Sequence, residues 1–172
     1  MKSSLGFRPQ LELIESRLVP AAPAHTPASV PPPSSNPADY DLVLTNVCED
    51  PVGIKILADG EKTKDFFDKD GNLTRSITTG VLKVQVVDLK TLDSLVLNVS
   101  GPQVVSANGT ATTSGPWLFY FPTDSTQNQN PGLILVHGQT QYTADSFQVL
   151  HGQVVDICEA LHTTSASPPP TT

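Results

Sequence analysis

From Asp41 onward, apolar and polar residues alternate with a period of two, and turn signals interrupt the alternation at short intervals. Leu42 and Leu44 alternate with Val43 and Thr45 in a first strand that runs into Cys48. Val52, Ile54 and Ile56 alternate with Gly53 and Lys55 in a second. Asp59-Gly60 marks a turn. Lys62 to Phe67 and Leu73 to Thr78 then flank Asp68-Lys69-Asp70-Gly71-Asn72, a hairpin connection in which Gly71 is free to take positive φ. Val81 to Leu89 places Leu82, Val84 and Val86 on one face, and Leu95, Leu97 and Val99 repeat the pattern. Val104-Val105 and Ala111 to Thr113 flank the hairpin pair Asn108-Gly109, and Trp117 to Phe121 is a short aromatic strand closed by Pro122.

A polar loop over Thr123 to Gly132 leads to two closing strands, Leu133 to Tyr142 and Phe147 to Cys158, joined by Thr143-Ala144-Asp145-Ser146. Glu159 to His162 can add a helical turn. No 3.6-residue period is sustained over this stretch. The pattern predicts an all-β domain over residues 39–162, an antiparallel β-sandwich (immunoglobulin-like or related) of about ten short strands.

The flanks read differently. Residues 21–38 are rich in Pro, Ala and Ser, with Pro31-Pro32-Pro33 near the centre, and predict an extended, semi-rigid linker. Residues 163–172, with Pro168-Pro169-Pro170, predict a disordered tail. In residues 1–20, Leu11, Ile14 and Leu18 fall at helical spacing, but Pro20 stops the pattern and the helix is too short to stand alone. The apolar run is broken by Glu12, Glu15 and Arg17, so it lacks the h-region of a standard secretory signal. Nothing in the chain approaches the roughly 20 apolar residues that span a bilayer.

Charge narrows the partners. The formal net charge is −7, with ten Lys and Arg against seventeen Asp and Glu. Neutralising phosphates requires clustered Lys and Arg, and basic residues scattered along the chain do not supply that. Nucleic acid and an anionic membrane surface are therefore not expected partners. Only 16% of residues are charged, below the roughly 25% of average soluble domains, and Thr, Ser, Asn and Gln supply the polarity instead. That composition suits an extracellular β-domain.

The segment Arg8-Pro9, Leu11-Glu12, Glu15, Arg17 and Pro20 resembles an N-terminal motif of predicted exported proteins in planctomycete bacteria, with Ile14 where Leu is usual. The resemblance implies a targeting or processing role for residues 1–20. The domain itself resembles a group of small, uncharacterised secreted proteins best known from actinobacteria. The likeness is carried by Leu97-Asn98-Val99-Ser100-Gly101-Pro102, Asn108-Gly109 and the closing Gly152-Gln153-Val154-Val155-Asp156-Ile157-Cys158-Glu159-Ala160-Leu161, with Cys48 in the place of that group's early cysteine. These motifs are structural and imply no activity.

Candidate chemistry is sparse. Cys48 and Cys158 are the only cysteines. A redox pair and metal thiolates are conceivable, but there is no Cys-x-x-Cys, and a disulfide joining the first and last strands is the favoured reading in an oxidising compartment. Asp68 to Asn72 resembles the start of a calcium loop but has Gly71 in the fourth rather than the sixth position, so a plain turn is favoured. His137 and His151 are the candidate metal ligands: a hairpin brings them within a register step, and Asp145 or Asp156 is needed as a third. Isolated strand histidines are more often ordinary surface residues. Trp117 and Tyr120, within the aromatic cluster that includes Phe119 and Phe121, are the candidate ligand-stacking residues; a core role for Trp117, Phe119 and Phe121 is the stronger alternative. No Gly-x-Ser-x-Gly elbow or phosphate-cradling glycine loop occurs, and no cofactor is expected. The expectation is an exported, non-catalytic module at the cell surface or outside the cell, meeting a protein or carbohydrate partner. A small hydrolase or a carbohydrate-binding module is the alternative.

Overall fold

The computed structural model describes residues 29–123 and 131–164. The expected targeting segment, the linker before residue 29, the polar loop over 124–130 and the tail from 165 lie outside the described residues. Ten antiparallel strands form two sheets, and the chain is an all-β sandwich. The smaller sheet has the order β1 (Leu42–Leu44), β2 (Val52–Asp59), β5 (Leu82–Asp88), β6 (Ser94–Asn98). The larger has the order β10 (Phe147–Asp156), β9 (Gly132–Tyr142), β8 (Ala111–Phe121), β7 (Gln103–Ser106), β4 (Leu73–Thr79), β3 (Lys62–Phe67).

The two sheets are joined by strands that turn a corner. β2 pairs with β5 as far as Asp59↔Leu82, and β3 pairs with β4 from Lys62↔Thr79 onward, so one ladder crosses from sheet to sheet at Gly60 and Gly80. Gly60 N donates to Val81 O at 2.7 Å, and a Cβ on Gly80 would stand 2.3 Å from Gly60 O. Only glycine admits that approach.

Three further glycines lie side by side across the larger sheet, Gly115↔Gly138 and Gly138↔Gly152. Here the sheet folds over on itself. Phe147 pairs with Tyr142, and Tyr142 with Ala111, eight residues along β8 from Phe119. In a flat sheet that separation spans about 26 Å at ~3.3 Å per residue. The Phe119 and Phe147 ring centroids are instead 4.8 Å apart, and those of Phe121 and Phe147 5.0 Å. The crease requires bare backbone: a Cβ on Gly138 would lie 2.1 Å from His151 O, and one on Gly152 2.3 Å from His137 O.

One folded sheet therefore builds two cores. On its concave side Ala111, Trp117, Phe119, Phe121, Val136 and Tyr142 pack together with Phe147 and Val149. Two pairs of buried polar groups bond each other in this layer: Gln103 Nε2 donates to Tyr142 Oη, and the hydroxyls of Thr113 and Thr140 share a hydrogen bond. On the convex side Leu118, Tyr120, Leu133 and Leu135 meet Val52, Ile54, Leu82, Val84 and Val86 of the smaller sheet. The alternation along β8 thus serves a core on each face.

The structure corrects three sequence expectations. Ala111 to Thr113 and Trp117 to Phe121 are not separate strands but one strand of 11 residues. Pro116 is tolerated inside it because the β7 ladder ends at Gln103↔Thr113, leaving that stretch of β8 paired only with β9 among the described residues. The last strand stops at Asp156, and Ile157–Thr164 is a helix, α1. Asp156 caps it, its Oδ1 accepting from Glu159 N at 3.1 Å, while Ile157 and Leu161 drive into the inter-sheet core. In consequence Cys158 sits on a helix and Cys48 in the β1–β2 loop. They are disulfide-bonded with Cα atoms 5.5 Å apart, so the bridge ties loop to helix and not first strand to last.

Ordered contacts also reach into the expected linker. Gln85 Nε2 donates to Pro31 O at 3.1 Å, Tyr40 Oη donates to Ser34 O at 2.6 Å, and the Tyr40 ring lies against Gly53. This segment covers the outer face of the smaller sheet, where Gln85 and Val87 are buried.

The crease makes a differential prediction for stability. Gly138→Ala drives a methyl group into the His151 carbonyl and should lower unfolding free energy by about 1–3 kcal/mol or more. Gly109→Ala, at a positive-φ turn where a Cβ meets nothing, should lose only about 1–2 kcal/mol from the left-handed backbone. Urea denaturation of the two variants ranks them; equal losses would contradict the crowded crease.

Candidate functional site

A cavity of about 40 Å³ lies between the two sheets. Its walls are mainly apolar: Leu42, Ile54, Leu82, Val84, Val99, Leu118 and Leu133, with Trp117, Tyr120 and Glu61 completing them. A single water needs roughly 10–15 Å³, whereas clefts that take substrate-sized ligands run to about 300 Å³ and more. The space holds a few waters at most.

Both candidate stacking residues line this cavity and neither forms an open platform. Trp117 is 5% exposed and belongs to the concave core, stacked beside Phe119 at 6.4 Å. Its indole rests on Gly101, where a Cβ would lie 2.5 Å from Nε1. Trp117 Nε1 is buried with no hydrogen-bond partner among the described residues. Tyr120 is half-buried on the opposite face of β8, and burial raises its phenol above the usual range. Glu61 is the wall residue the sequence did not flag. It follows the Asp59-Gly60 turn, and only the strand crossing at Gly60 and Gly80 carries it to the cavity.

His137 and His151 are both exposed and lie a register step apart, His137 opposite Gln153 and His151 opposite Gln139. The Gly138–Gly152 pair stands between them. Asp156 is opposite Ile134, and Asp145 is in the far turn between β9 and β10. Among the described residues no three His, Cys, Asp or Glu side chains gather as a metal site. The Asp68 loop is a self-contained turn. Asp68 Oδ1 accepts from Asp70 N and Asn72 N, both at 2.8 Å, and Oδ2 accepts from Asn72 Nδ2 at 3.0 Å. The side-chain bond from Asn72, with the backbone donors, holds that carboxyl below its usual range.

Trp117 is the only tryptophan in the chain, which makes its environment directly measurable. Native protein should emit at short wavelength and shift red on unfolding. Trp117→Phe keeps the ring in the core and removes the unpaired N–H, so it should cost less than about 1.5 kcal/mol, whereas Trp117→Ala should cost about 3–5 kcal/mol. A near-neutral alanine variant in thermal or urea melts would contradict the core assignment.

No known protein family matches this chain, and neither the curated proteins nor the solved structures contain a match.

Proposed function

We propose that this chain is an exported, non-catalytic interaction module, acting outside the cytoplasm at a cell surface. The observation that carries the reading is the disulfide between Cys48 and Cys158, which closes a separation of 110 residues. Structural disulfides of this kind persist in oxidising compartments and are rare in the cytosol. The proline-rich sequence on either side of the domain and the export-like motif at Arg8 to Pro20 support the same placement.

A carbohydrate-binding role needs an aromatic platform on the surface, and Trp117 is in the core. A hydrolase needs convergent titratable groups in a cleft, and the inter-sheet cavity brings only Glu61 and Tyr120 to apolar walls. The interaction module is the reading that asks nothing further of these residues.

Cell fractionation with non-reducing peptide mapping tests it. The bridged Cys48–Cys158 peptide should be recovered from protein outside the cytoplasm. Closing a loop of this length contributes up to about 4–5 kcal/mol in the chain-entropy model, so dithiothreitol should also lower the urea midpoint markedly. Recovery of the protein from the cytoplasm with both thiols reduced would overturn the proposal.

A further inference from the structure

The net charge of the chain hides an uneven distribution. Between Lys62 and Thr79, the β3–β4 hairpin carries Lys62, Lys64, Lys69 and Arg75 against Asp65, Asp68 and Asp70. Everywhere else among the described residues, three lysines (Lys55, Lys83 and Lys90) stand against eleven carboxylates. Among the described residues the hairpin therefore carries a net +1 and the rest of the domain −8.

The hairpin ends in exposed apolar groups. β7 supports β4 only from Arg75 to Thr78, and every residue from Phe67 to Arg75 is exposed. Phe67 and Leu73 face each other in register at the mouth of the turn and are 61% and 44% exposed. One step back, the Phe66 ring holds the Lys64 ammonium at 5.1 Å and the Arg75 guanidinium at 4.7 Å from its centre. Two cations are thereby fixed just behind an apolar tip.

We propose that the β3–β4 hairpin docks this protein onto an anionic phospholipid surface, with Phe67 and Leu73 entering the headgroup–acyl boundary and Lys64, Lys69 and Arg75 meeting lipid phosphates. Charge complementarity selects the orientation, because the acidic body is repelled and the hairpin alone is attracted. Shape selects lipid over a protein partner. The tip is a two-stranded turn exposed throughout from Phe67 to Arg75, and a fluid bilayer accepts such an apolar wedge with no preformed pocket. Overall net charge argues against a membrane surface, but a contact is decided by the charges within a Debye length of it, about 8–10 Å. The hairpin's own balance is +1, four cations against three carboxylates, since the hydrogen bonds of Asp68 within the turn and of Asp65 with Ser76 Oγ at 2.6 Å leave both carboxylates charged. Asp70 opposes binding.

Sedimentation of the purified, oxidised full chain with phosphatidylcholine vesicles, with and without phosphatidylglycerol, tests the proposal independently of cellular location. Binding should require phosphatidylglycerol and weaken with added salt. Phe67→Ser combined with Leu73→Ser should lower partitioning roughly tenfold or more. Lys69→Glu should weaken binding and Asp70→Asn strengthen it. All these side chains are on the exposed hairpin, and short-wavelength Trp117 emission verifies that each variant is folded. Failure of the wild type to bind, equal binding to neutral vesicles, or unchanged binding of the Phe67/Leu73 variant would overturn the proposal. So would salt-sensitive binding to soluble poly-aspartate that matches the vesicle affinity, since that outcome needs only a polyanion.

Discussion

The close backbone approach of Gly138 and Gly152 is the constraint on which the rest of this fold depends. Three strands pass it side by side, and neither Gly138 nor Gly152 can carry a side chain without displacing a carbonyl oxygen of its neighbour, while Gly115 on the third strand takes a left-handed φ of 87°. Because the crease is possible, a single sheet supplies both a concave aromatic core and a convex aliphatic one. The alternating side chains of β8 and β9 are then buried on both faces, which a two-layer sandwich of this length does not otherwise achieve for its outer surface.

The other features follow from that geometry. The inter-sheet core is completed from below by α1, whose Ile157 and Leu161 fill the end of the sandwich and whose Cys158 is tied to the β1–β2 loop. The outer face of the smaller sheet has no folded half to cover it, and residues 31–40 do so instead, through Tyr40 and the Gln85–Pro31 bond. The β3–β4 hairpin, at the far edge of the folded half, outruns its support from β7 and projects. Clasp, cover and projection are each local answers to where the creased sheet leaves a surface open or an edge unsupported.

Much of this was legible in the chain. Period-two alternation gave the strands, Asn108-Gly109 and Asp59-Gly60 gave turns, and two lone cysteines in an extracellular-type composition pointed to one disulfide. The crease was not legible, because Gly115, Gly138 and Gly152 lie far apart in sequence and become neighbours only through register. Read singly, Gly115-Pro116 looks like a strand break. The start of α1 did have a signal, Asp156 as cap with Glu159 three residues later, but the run Val154-Val155 with Ile157 favoured continuing the strand. Glu61 and the clustering of charge on the hairpin depended on the strand crossing at Gly60 and Gly80. The scattered basic residues therefore read as a uniform background when four of them share one projection.

The contact between Phe119 and Phe147 tests the crease most directly. The two residues are joined through Tyr142 and Ala111 by a register that, laid flat, holds them about 26 Å apart, yet their rings are in van der Waals contact. Nuclear Overhauser measurement on protein with labelled phenylalanine should give strong ring-to-ring cross-peaks between Phe119 and Phe147, and between Phe121 and Phe147. Absence of both, with the β8–β9 and β9–β10 registers intact, would show a flat sheet and contradict the account.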